Sequence, residues 1–599
     1  MTIDWENLKK EDLFDRKLYE SISNIQDSFE RIKQEENLFG VAKNFKIKSK
    51  VESLYKEVRK QSEINIRNNA TIDFGEKAPI RNMIAPGYYK DSLNHIRKSE
   101  KDKDILVTST LIEPIAIFKN IETRDELVKC AFFSRNRWDY FIINREVIIN
   151  NGKITRLANK GIDVTSDSSK LLVGFIRDLL NNNEIPEYKS TSKMGWHEGG
   201  FLPYDSNIEF DGEESFKTAF SSITEKGSYE KWYEQVASDR KDNIPLKLMM
   251  AASFASPLLH LLGRQRFVTL LWGDTGGKKT VAGRMAMSVW GDSREGKLMF
   301  SMNNTTNFYF RTAEFFNHLP VFFDEFQTFV KRGGDINGLI MSLTEGIDRG
   351  KADIDGGIQK IRTWNNVFML TGEQSISDIN SGGGTLNRLI EIYITKDVVE
   401  NGIKTCDVLN ENYGHAGKKY IQHLKEVGVE NLKLLFNEKY QELMSLDRTE
   451  EKQAINMAVL LVADYLACNC IFTEETPLTV KDVVGYMFTK KEIDNTQRAY
   501  DSFLDECEIN KSKFGDSQSE FWGTKNEFEI QIVTQKLRDI LNKHGFNYNK
   551  VLRGWEKKGY VERGNDGKYS QHRTVGELNS NYVTIKIKKE EWNDSSKSE

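Results

Sequence analysis

A glycine-rich loop between an apolar run and a helical pattern is the first place where this chain could do chemistry. The run RFVTLLW is followed by GDTGGKKT and then by VAGRMAMSVW. Backbone N–H groups of such a loop, helped by the positive end of the following helix, can cradle a triphosphate. The pattern GxxxxGK[ST] assigns the phosphate to Lys279 and the Mg²⁺ hydroxyl to Thr280. The predicted ATP-binding residues are Gly273, Asp274, Thr275, Gly276, Gly277, Lys278, Lys279 and Thr280.

Lys278 departs from this pattern, because it stands where the second glycine is expected. Glycine serves where the backbone must adopt special angles, so a side chain at this position is expected to crowd the turn. No other register fits, because Lys279, and not a serine or threonine, follows Gly277-Lys278. Taken alone, the loop leaves open a glycine-rich turn that binds no ligand.

Two carboxylates end the apolar run LPVFFDE, about 45 residues after the loop. At this spacing the pair matches the second motif of nucleotide hydrolases. Asp324 is predicted to hold Mg²⁺, together with Thr280 or through water, and Glu325 to orient and activate the attacking water. An ordinary strand that ends in an acidic turn is the alternative.

Polar side chains at three further strand ends complete the predicted catalytic site. The run NVFMLTGE ends in Thr371, Gly372 and Glu373, and Thr371 is the best candidate to contact the γ-phosphate or the water. Asn303 or Asn304 could hold Glu325 in an inactive pose. Arg388 precedes RLIEIYI and could reach the γ-phosphate of a neighbouring subunit as an arginine finger, or could be a surface arginine. The predicted catalytic residues are Lys279, Glu325, Thr371 and Arg388.

The segment DRGKADIDGGIQKIRTW alternates, contains a turn pattern at Asp355-Gly356-Gly357, and predicts a β-hairpin. Lys351, Lys360 and Arg362 flank it and could grip DNA phosphates if the hairpin projects into a central pore. A solvated charged hairpin fits the sequence equally well.

The elements that must position these residues alternate between strand and helix, which predicts a parallel sheet with helices on both faces. The sequence divides into five regions. They are a helical N-terminal region at 1–103, a β-rich domain of hairpins at 104–212, an ATPase core with preceding helices at 213–412, a helical lid and linker at 413–524, and a winged helix at 525–590.

The last region is predicted from two helical patterns, FEIQIVTQKLRDILNKHG and NYNKVLRGWEKKGYV, followed by a hairpin. Residues 525–589 contain 14 basic and 7 acidic residues, whereas the whole chain has a net charge of −4. A local basic excess is the pattern expected for phosphate contacts. A winged helix that binds proteins is the alternative. The predicted DNA contacts here are Lys550, Arg553, Lys557, Lys558 and Arg573.

Composition limits the class of protein. With 599 residues, 39% apolar and 29% charged, the chain is expected to be globular, to form several domains and not to be disordered or fibrous. We find no apolar run near the roughly 18 residues that span a bilayer and no signal-peptide pattern, so we expect a cytoplasmic protein without a membrane partner. The five cysteines form no CxxC pair and favour reduced thiols over a metal site.

In order and spacing, these motifs resemble the MCM-like self-loading helicases that staphylococcal cassette chromosomes and pathogenicity islands encode. The resemblance covers roughly 104–590 and rests on MGWH at Met194–His197, GDTGGKKT, LPVFFDE, EGIDRGKADIDGG, LTGE, Asn387-Arg388, YGHAG at Tyr413–Gly417, and the C-terminal winged helix.

The resemblance implies a multidomain α/β protein with a helical and β-rich N-terminal region, an AAA+ P-loop ATPase core with a presensor hairpin, a helical lid and a C-terminal winged helix. It implies a homohexameric ring that uses ATP and Mg²⁺ to unwind DNA for replication of a mobile element. The implied partners are single- and double-stranded DNA, other copies of the chain and other replication proteins of the element. Lys278 departs from the family's loop and puts full ATPase competence in question.

Two other functions fit parts of the sequence. One is a weakly hydrolysing, origin-binding initiator that uses ATP mainly for assembly. The other is a P-loop switch ATPase that acts on proteins, which would need neither a pore hairpin nor a basic winged helix. The intact Asp324-Glu325 pair and Arg388 favour hydrolysis, and therefore the helicase.

Overall fold

The structure is a computed structural model of the chain. It describes residues 3–587 apart from 6, 24, 26, 69–70, 101–102, 199, 205–206, 213, 350–360, 380–381, 448, 516–519 and 576–577. The chain divides into two compact units. One comprises Met1–Ser192 with Asn207–Asp211, and the other Lys193–Ser206 with Gly212–Glu599.

The first unit begins with helices that pack around a small apolar core containing Tyr19 and Tyr55. They are α1 (Arg16–Ser23), α2 (Ser28–Asn44) and α3 (Lys48–Asn68), preceded by a 3₁₀ turn at Asp12–Phe14. Asp27 caps α2 by accepting a hydrogen bond from Phe29 N–H. The helical prediction for the start of the chain is therefore confirmed up to residue 68.

Between residues 71 and 103 the helical prediction is wrong. The structure has short strands there: β1 (Thr71–Asp73), β2 (Asn82–Ile84), β3 (Tyr88–Lys90), β4 (Ile96–Glu100) and β5 (Lys103–Thr108). Ile72 and Met83 are buried between exposed neighbours, which is the period of a strand and not of a helix. Gly75 and Gly87 have positive φ and make the turns between these strands.

A five-stranded mixed sheet forms the main part of this unit, in the order β12-β9-β6-β7-β8. The strands are β6 (Ile112–Asn120), β7 (Glu126–Ser134), β8 (Arg137–Asn144), β9 (Glu187–Thr191) and β12 (Glu209–Phe210). The predicted β-rich character is confirmed, but two helices, α4 (Arg145–Ile149) and α5 (Ser169–Asn182), and a 3₁₀ helix at Ile154–Lys160 interrupt it. Helix α5 buries Leu172, Phe175, Ile176 and Leu179 in the core that this sheet shares.

The second unit is built on a five-stranded parallel sheet in the order β14-β15-β16-β13-β17. All five strands are predicted by apolar runs in the sequence. They are β13 (Phe267–Trp272), β14 (Met299–Ser301), β15 (Val321–Asp324), β16 (Val367–Gly372) and β17 (Leu389–Tyr393). Central strands of a parallel sheet are covered on both faces, which explains why β16 is apolar and buried throughout.

Helices connect and cover these strands. They are α6 (Glu214–Ser222), α7 (Tyr229–Arg240), α8 (Ile244–Leu262), α9 (Lys279–Ser288), α10 (Thr306–Phe316), α11 (Phe326–Lys331), α12 (Ile336–Glu345), α13 (Gly383–Leu386) and α14 (Gly402–Glu411). A short hairpin, β10 (Gly195–His197) with β11 (Gly200–Leu202), also belongs to this unit. Its Trp196 donates from Nε1 to Pro257 O of α8 at 2.9 Å.

A helical region follows, as predicted for the lid. Its helices are α15 (His415–Val427), α16 (Val429–Met444), α17 (Glu451–Cys470), α18 (Val480–Val483) and α19 (Lys490–Ile493), with a 3₁₀ turn at Val484–Tyr486. Helix α17 is tied to α7 by a buried ion pair between Arg240 and Asp464, and Glu475 Oε2 lies 2.7 Å from Arg240 Nη1. Breaking such a pair leaves a buried charge unpaired, so it fixes this helical region to the helices that precede the sheet.

The C-terminal elements share one apolar core. They are α20 (Asn495–Ile509), β18 (Gly523–Lys525), β19 (Glu529–Val533), α21 (Thr534–Lys543), α22 (Tyr548–Lys558), β20 (Ser570–Val575) and β21 (Leu578–Lys586), with a 3₁₀ turn at Lys511–Lys513. The strands form an antiparallel sheet in the order β18-β19-β21-β20. Two expectations change. EIQIV is a strand, with Ile530 and Ile532 buried, and part of the expected linker forms β18.

Two helices are long and apolar enough to cross a membrane by length and composition, Ile244–Leu262 and Glu451–Cys470. Both are mostly buried within the protein, at 78% and 83% of the apolar window. Helices that are apolar on all sides are also found in the cores of large proteins, so their burial here accounts for their composition.

Candidate nucleotide site

The predicted phosphate loop runs from the end of β13 to the start of α9. Gly273 has φ +154° and Gly276 has φ +92°. A Cβ at Gly273 would lie 2.6 Å from the carbonyl oxygen of Ile394, so the loop can pack against the segment after β17 only with glycine there. Two backbone hydrogen bonds fix it in place, from Gly273 N–H to Gly372 O and from Val398 N–H to Gly277 O.

Lys278 adopts the left-handed conformation that glycine usually supplies at this position, with φ 56° and ψ 30°. A non-glycine residue there costs on the order of 1 kcal/mol. The expected crowding of the turn does not occur, because the side chain extends toward the loop that follows β17. Its Nζ lies 2.8 Å from Asp397 Oδ2 and donates to Glu400 O at 2.5 Å.

Lys279, the predicted phosphate lysine, begins α9. Its Nζ donates to Gly273 O at 2.9 Å and to Asp274 O at 2.6 Å. The ammonium group is therefore held over the loop, where the triphosphate is predicted to lie.

Thr280 and Asp324, the predicted Mg²⁺ ligands, lie in direct contact. Thr280 Oγ1 is 3.1 Å from Asp324 Oδ1 and 3.0 Å from Oδ2. Burial raises the pKa of Asp324, and hydrogen bonds from Thr371 and Thr280 oppose that rise. A hydroxyl and a carboxylate are oxygen ligands of the kind Mg²⁺ prefers, so this pair fits that ion.

Thr371 lies beside both carboxylates. Its hydroxyl donates to Asp324 Oδ1 and accepts a hydrogen bond from Glu325 N–H at 3.0 Å. Thr371 contacts the Asp324 carboxylate and the Glu325 backbone and lines the same cavity as Lys279, so its assignment to the γ-phosphate or the attacking water stays a prediction.

Glu325 caps α11 in a left-handed conformation, φ 59° and ψ 67°. Its side chain is exposed and lines a cavity of about 380 Å³, together with Lys279, Thr280 and Thr371. A strained non-glycine residue beside a phosphate loop is typical of functional sites. The cavity therefore brings together residues from the ends of β13, β15 and β16.

Five residues of this cavity had no role in the sequence prediction: Gln327, Thr328, Lys331, Gly372 and Glu373. Glu373 Oε1 accepts a hydrogen bond from Thr275 Oγ1 at 2.6 Å. This bond, with Lys331 and Lys279 nearby, lowers the pKa of Glu373. The Oε1 atom of Gln327 is buried and has no hydrogen-bond partner within the described part of the chain. Glu373 directly follows β16, and that position at a strand end could have revealed it.

The expected contact between Glu325 and Asn303 or Asn304 is wrong. Asn303 Oδ1 accepts from Arg332 Nη1, and Asn304 Nδ2 donates to Ser301 O at 3.0 Å. Both amides are used locally at the end of β14.

Arg388 lies at the opposite end of the sheet from the phosphate loop. Its carbonyl oxygen accepts from Val268 N–H at 2.8 Å, at the start of β13, whereas the loop follows the end of β13. Its guanidinium donates to Gly384 O at 2.8 Å. Arg388 therefore cannot reach the nucleotide site of its own chain, which is compatible with the predicted action on a neighbour.

Lys351 and Lys360, the predicted hairpin lysines, lie outside the described residues. The flanks of the hairpin pair as predicted, with an antiparallel bridge between Ile347 and Thr363. Arg362 is half-buried and held by acidic groups, with Nη1 3.1 Å from Asp348 and Nε 3.4 Å from Glu314. Its ion pairs hold it beside the flanks of the predicted hairpin and leave it less free than expected for a DNA contact, which corrects the prediction for this residue.

The predicted DNA-binding residues of the C-terminal region differ in their exposure and in their ion pairing. Lys550, Arg553 and Lys557 are exposed on α22, and Arg573 is exposed on β20. The spacing of the three helical residues places them on one face. Lys558 instead lies 2.6 Å from Asp494 and donates to Gln497 Oε1 at 3.1 Å, so it holds the domain together.

Comparisons with known protein families match two separate parts of the chain. Residues 82–363 match a family model described as a domain of unknown function (DUF927). Residues 494–590 match a model described as the Cch helix-turn-helix domain. That range begins before residue 525 and includes α20, in agreement with the shared core. No curated protein matches the chain.

A solved structure described as "SCCmec type IV Cch - active helicase" aligns with a TM-score of 0.60 at 17% identity, and covers 84% of this chain and 97% of that one. The apo structure of the NrS-1 C-terminal region aligns with a TM-score of only 0.29 at 13% identity, over 79% of this chain and 96% of that one. The protein therefore has a multidomain α/β fold like that of the first structure, with a C-terminal Cch-type helix-turn-helix domain.

Proposed function

We propose that this protein is an ATP-driven DNA helicase that serves the replication of a mobile genetic element. The observation that carries the proposal is the cavity lined by Lys279, Thr280 and Glu325, where Thr280 is hydrogen-bonded to Asp324. A lysine for the phosphates, a hydroxyl and a carboxylate for Mg²⁺, and a second carboxylate for water are the parts that ATP hydrolysis needs. The solved structure of similar fold is described as an active helicase, which favours unwinding as the use of that hydrolysis.

In this proposal ATP binds with its terminal phosphates at Lys279 and the loop N–H groups. Mg²⁺ would be held by Thr280 and Asp324 and would supply charge neutralisation at the phosphates. Glu325 accepts a hydrogen bond from the attacking water and orients it. Thr371 keeps Asp324 and Glu325 in position through hydrogen bonds to the Asp324 carboxylate and the Glu325 backbone.

The chain is proposed to work as an AAA+ hexamer. The sheet order, with β13 between β16 and β17, supports this architecture. Arg388, at the opposite end of the sheet from its own phosphate loop, suits an arginine finger that completes the site of a neighbouring copy. A head-to-tail ring provides such a contact.

Two regions are proposed to bind DNA. The helix order α20, α21, α22 with the β20–β21 hairpin supports a winged helix, whose exposed Lys550, Arg553 and Lys557 would contact duplex phosphates. The hairpin based at Ile347 and Thr363 would grip a single strand in the pore through Lys351 and Lys360. A cytoplasmic location follows from this function.

One observation favours the alternative of a weakly hydrolysing initiator. Lys278 holds the loop in a strained conformation and ties it to Asp397 and Glu400. If these contacts slow the movement of the loop during turnover, ATP hydrolysis would be slow. ATP would then serve assembly on origin DNA more than translocation.

The rate of ATP hydrolysis with and without single-stranded DNA distinguishes these functions. A translocating helicase is expected to hydrolyse faster when the strand occupies its pore. An initiator is expected to show slow turnover that single-stranded DNA does not change. A switch ATPase for protein partners would bind neither form of DNA.

A further inference from the structure

A basic cavity lies at the end of the parallel sheet that is remote from the phosphate loop. It has a volume of about 340 Å³ and lies between the starts of β13 and β17 and the first turn of α17. Four cationic side chains line it, Arg264, Arg266, Arg388 and Lys452, and one acidic side chain, Glu451. A cavity with such an excess of one charge concentrates ions of the other sign.

Two guanidinium groups of this cavity have unused donors. The Nε atoms of Arg264 and Arg266 are buried and have no hydrogen-bond partner among the residues that the structure describes. Burial also lowers the pKa of Arg266, because desolvation disfavours its charged form. Arginine nevertheless stays protonated in proteins. Burying even part of a charge is costly, so an anion in this cavity would stabilise the two guanidinium groups.

The side chains are held ready for such an anion. The guanidinium of Arg264 stacks on the ring of Phe436, 4.2 Å from its centroid. Arg266 donates from Nη2 to Glu345 O at 2.9 Å. Planar, fixed guanidinium groups bind phosphate oxygens with two parallel hydrogen bonds. The cavity therefore suits a phosphate, which has several oxygen acceptors, better than a monatomic anion such as chloride.

The nucleotide of the same chain cannot supply this phosphate. Strand β13 has six residues between the cavity and the phosphate loop, which is roughly 20 Å at about 3.3 Å per residue. The anion must come from another molecule. Arg388 lines the cavity and is proposed to face the nucleotide of a neighbouring copy. The cavity therefore lies on the surface that would face that copy.

We propose that Arg264, Arg266 and Lys452 act with Arg388 as one site for the terminal phosphates of a nucleotide bound to a second copy of this chain. This rests on the proposed function, since a ring of copies brings a neighbour's phosphate loop to this edge. Arg388 then supplies one of four charges and not the only one. The phosphate would accept hydrogen bonds from the guanidinium and ammonium groups that line the cavity.

Arg266 also connects this site to the base of the hairpin. A Cβ at Gly346 would lie 1.9 Å from Arg266 Nε, so the guanidinium packs directly on the backbone at the end of α12. Gly346 O accepts from Trp364 N–H at 3.1 Å, and the next residue, Ile347, pairs with Thr363. A movement of Arg266 toward a phosphate acts directly on the stem of the predicted DNA-binding hairpin. Arg266 is therefore a positioning residue for the hairpin as well as a phosphate ligand.

The site can be tested with full-length Lys452→Ala and Arg264→Gln proteins. Both are expected to bind a fluorescent ATP analogue with only a small loss of affinity, because their own phosphate loop and Lys279 are intact. Their kcat is expected to fall on the order of 10- to 100-fold, as for loss of a charged transition-state contact. Lys418→Ala, which changes an exposed lysine of α15, is the matched control and should hydrolyse normally.

Mixing shows whether the site acts across a subunit boundary. Lys452→Ala protein mixed with Glu325→Gln protein forms some boundaries with both intact groups, so turnover should rise above that of either protein alone. Arg266→Lys keeps the charge but alters the contact with Glu345. For each variant, the rate of hydrolysis with single-stranded DNA is divided by the rate without it. This ratio should be lower for Arg266→Lys than for Lys452→Ala, even where both variants lose the same amount of kcat.

A binding measurement separates the site from the proposed function. Tripolyphosphate should still bind to full-length Lys279→Ala protein in calorimetry, and adding Arg264→Gln should abolish that binding. If the wild type hydrolyses no ATP but this binding is found, the helicase proposal fails and the anion site is supported. If Lys452→Ala and Arg264→Gln both hydrolyse at the wild-type rate, the site is overturned and the helicase proposal stands. If they lose affinity for single-stranded DNA with unchanged turnover, the occupant is a DNA phosphate, and the assignment to a nucleotide is overturned.

Discussion

Glu325 is the residue on which hydrolysis is expected to depend most. It is exposed to the nucleotide cavity, and its backbone N–H is fixed by the hydroxyl of Thr371 at 3.0 Å. Glu325→Gln retains the shape and removes the carboxylate that orients water. We expect ATP binding to persist and kcat to fall on the order of 10²-fold or more. Equilibrium nucleotide binding and steady-state phosphate release measure the two effects, and a wild-type rate would show that another group activates the water.

Lys278 and Lys279 are adjacent but are expected to differ in function. Lys279→Ala removes the ammonium at the loop and should abolish ATP binding. Lys278→Gly relieves a left-handed residue, a gain of about 1 kcal/mol. The flexibility of glycine in the unfolded chain offsets about 0.5–1 kcal/mol of that gain. The exposed pair with Asp397 contributes little, so stability should change only slightly and hydrolysis should be kept or rise.

Lys278→Ala is the control for this comparison, because it removes the charge but keeps the strained Cβ. If hydrolysis rises in Lys278→Gly and not in Lys278→Ala, backbone strain at this position limits the rate of hydrolysis. Loss of activity at Lys278 combined with none at Lys279 would mean that the register of the loop is wrong.

The strands of the parallel sheet could be predicted because each is an apolar run bounded by turns. Elements with mixed patterns could not. EIQIV was predicted to begin a helix, although its alternation buries Ile530 and Ile532. Helix α5 was missed inside a region of strands, although Leu172, Phe175, Ile176 and Leu179 have helical spacing. The contacts of Arg362 and Lys558 depend on acidic residues far away in sequence, such as Glu314 and Asp494, and no local pattern reveals them.

The β-rich unit should show a pH-dependent stability that originates at Glu113 on β6. Its side chain is fully buried, and burial raises its pKa from about 4.5 to about 7. The stabilisation from the protonated form is fully present below about pH 4.5 and is lost as the pH rises through about 7. The free energy of unfolding should therefore fall on the order of 3 kcal/mol between these limits.

Glu113→Gln keeps the acceptor for Ile80 N–H, which lies 3.2 Å from Glu113 Oε1, and cannot ionise. Urea unfolding followed by circular dichroism at about pH 5 and about pH 8 tests the effect. The variant should lose most of the pH dependence and gain stability at the higher pH. Equal pH dependence in both proteins would place the titrating group elsewhere.

The C-terminal domain should bind duplex DNA through the exposed face of α22. Changing Lys550, Arg553 and Lys557 together to alanine removes three phosphate contacts without touching the core. Each contact contributes about 0.9 to the slope of log affinity against log salt, so the slope should become shallower by about 2.7. Fluorescence anisotropy at several salt concentrations measures it.

Lys558→Ala is the matched control on the same helix, because Lys558 is bound to Asp494 and Gln497. It should leave the salt slope unchanged. A triple variant with unchanged affinity and slope would make the domain a protein-contact module, and origin binding would have to be sought in the first unit.

At the scale of the whole molecule, the proposed division of labour places turnover in the parallel sheet and DNA affinity in the C-terminal domain and the hairpin. The chain as a whole has a charge of −4, so DNA binding must depend on these local basic surfaces and not on overall attraction. If Arg388 acts on a neighbouring copy as proposed, its position opposite the phosphate loop would make hydrolysis a property of an assembly. Hydrolysis should therefore rise with protein concentration until the assembly is complete.

Unwinding of a forked DNA substrate tests the central proposal most directly. Strand separation is measured for the wild type with ATP, with a non-hydrolysable analogue, and for Glu325→Gln with ATP. We predict that only the wild type with ATP separates the strands, and that single-stranded DNA stimulates its hydrolysis. Hydrolysis by the wild type without strand separation, or unwinding by Glu325→Gln at the wild-type rate, would contradict an ATP-driven helicase.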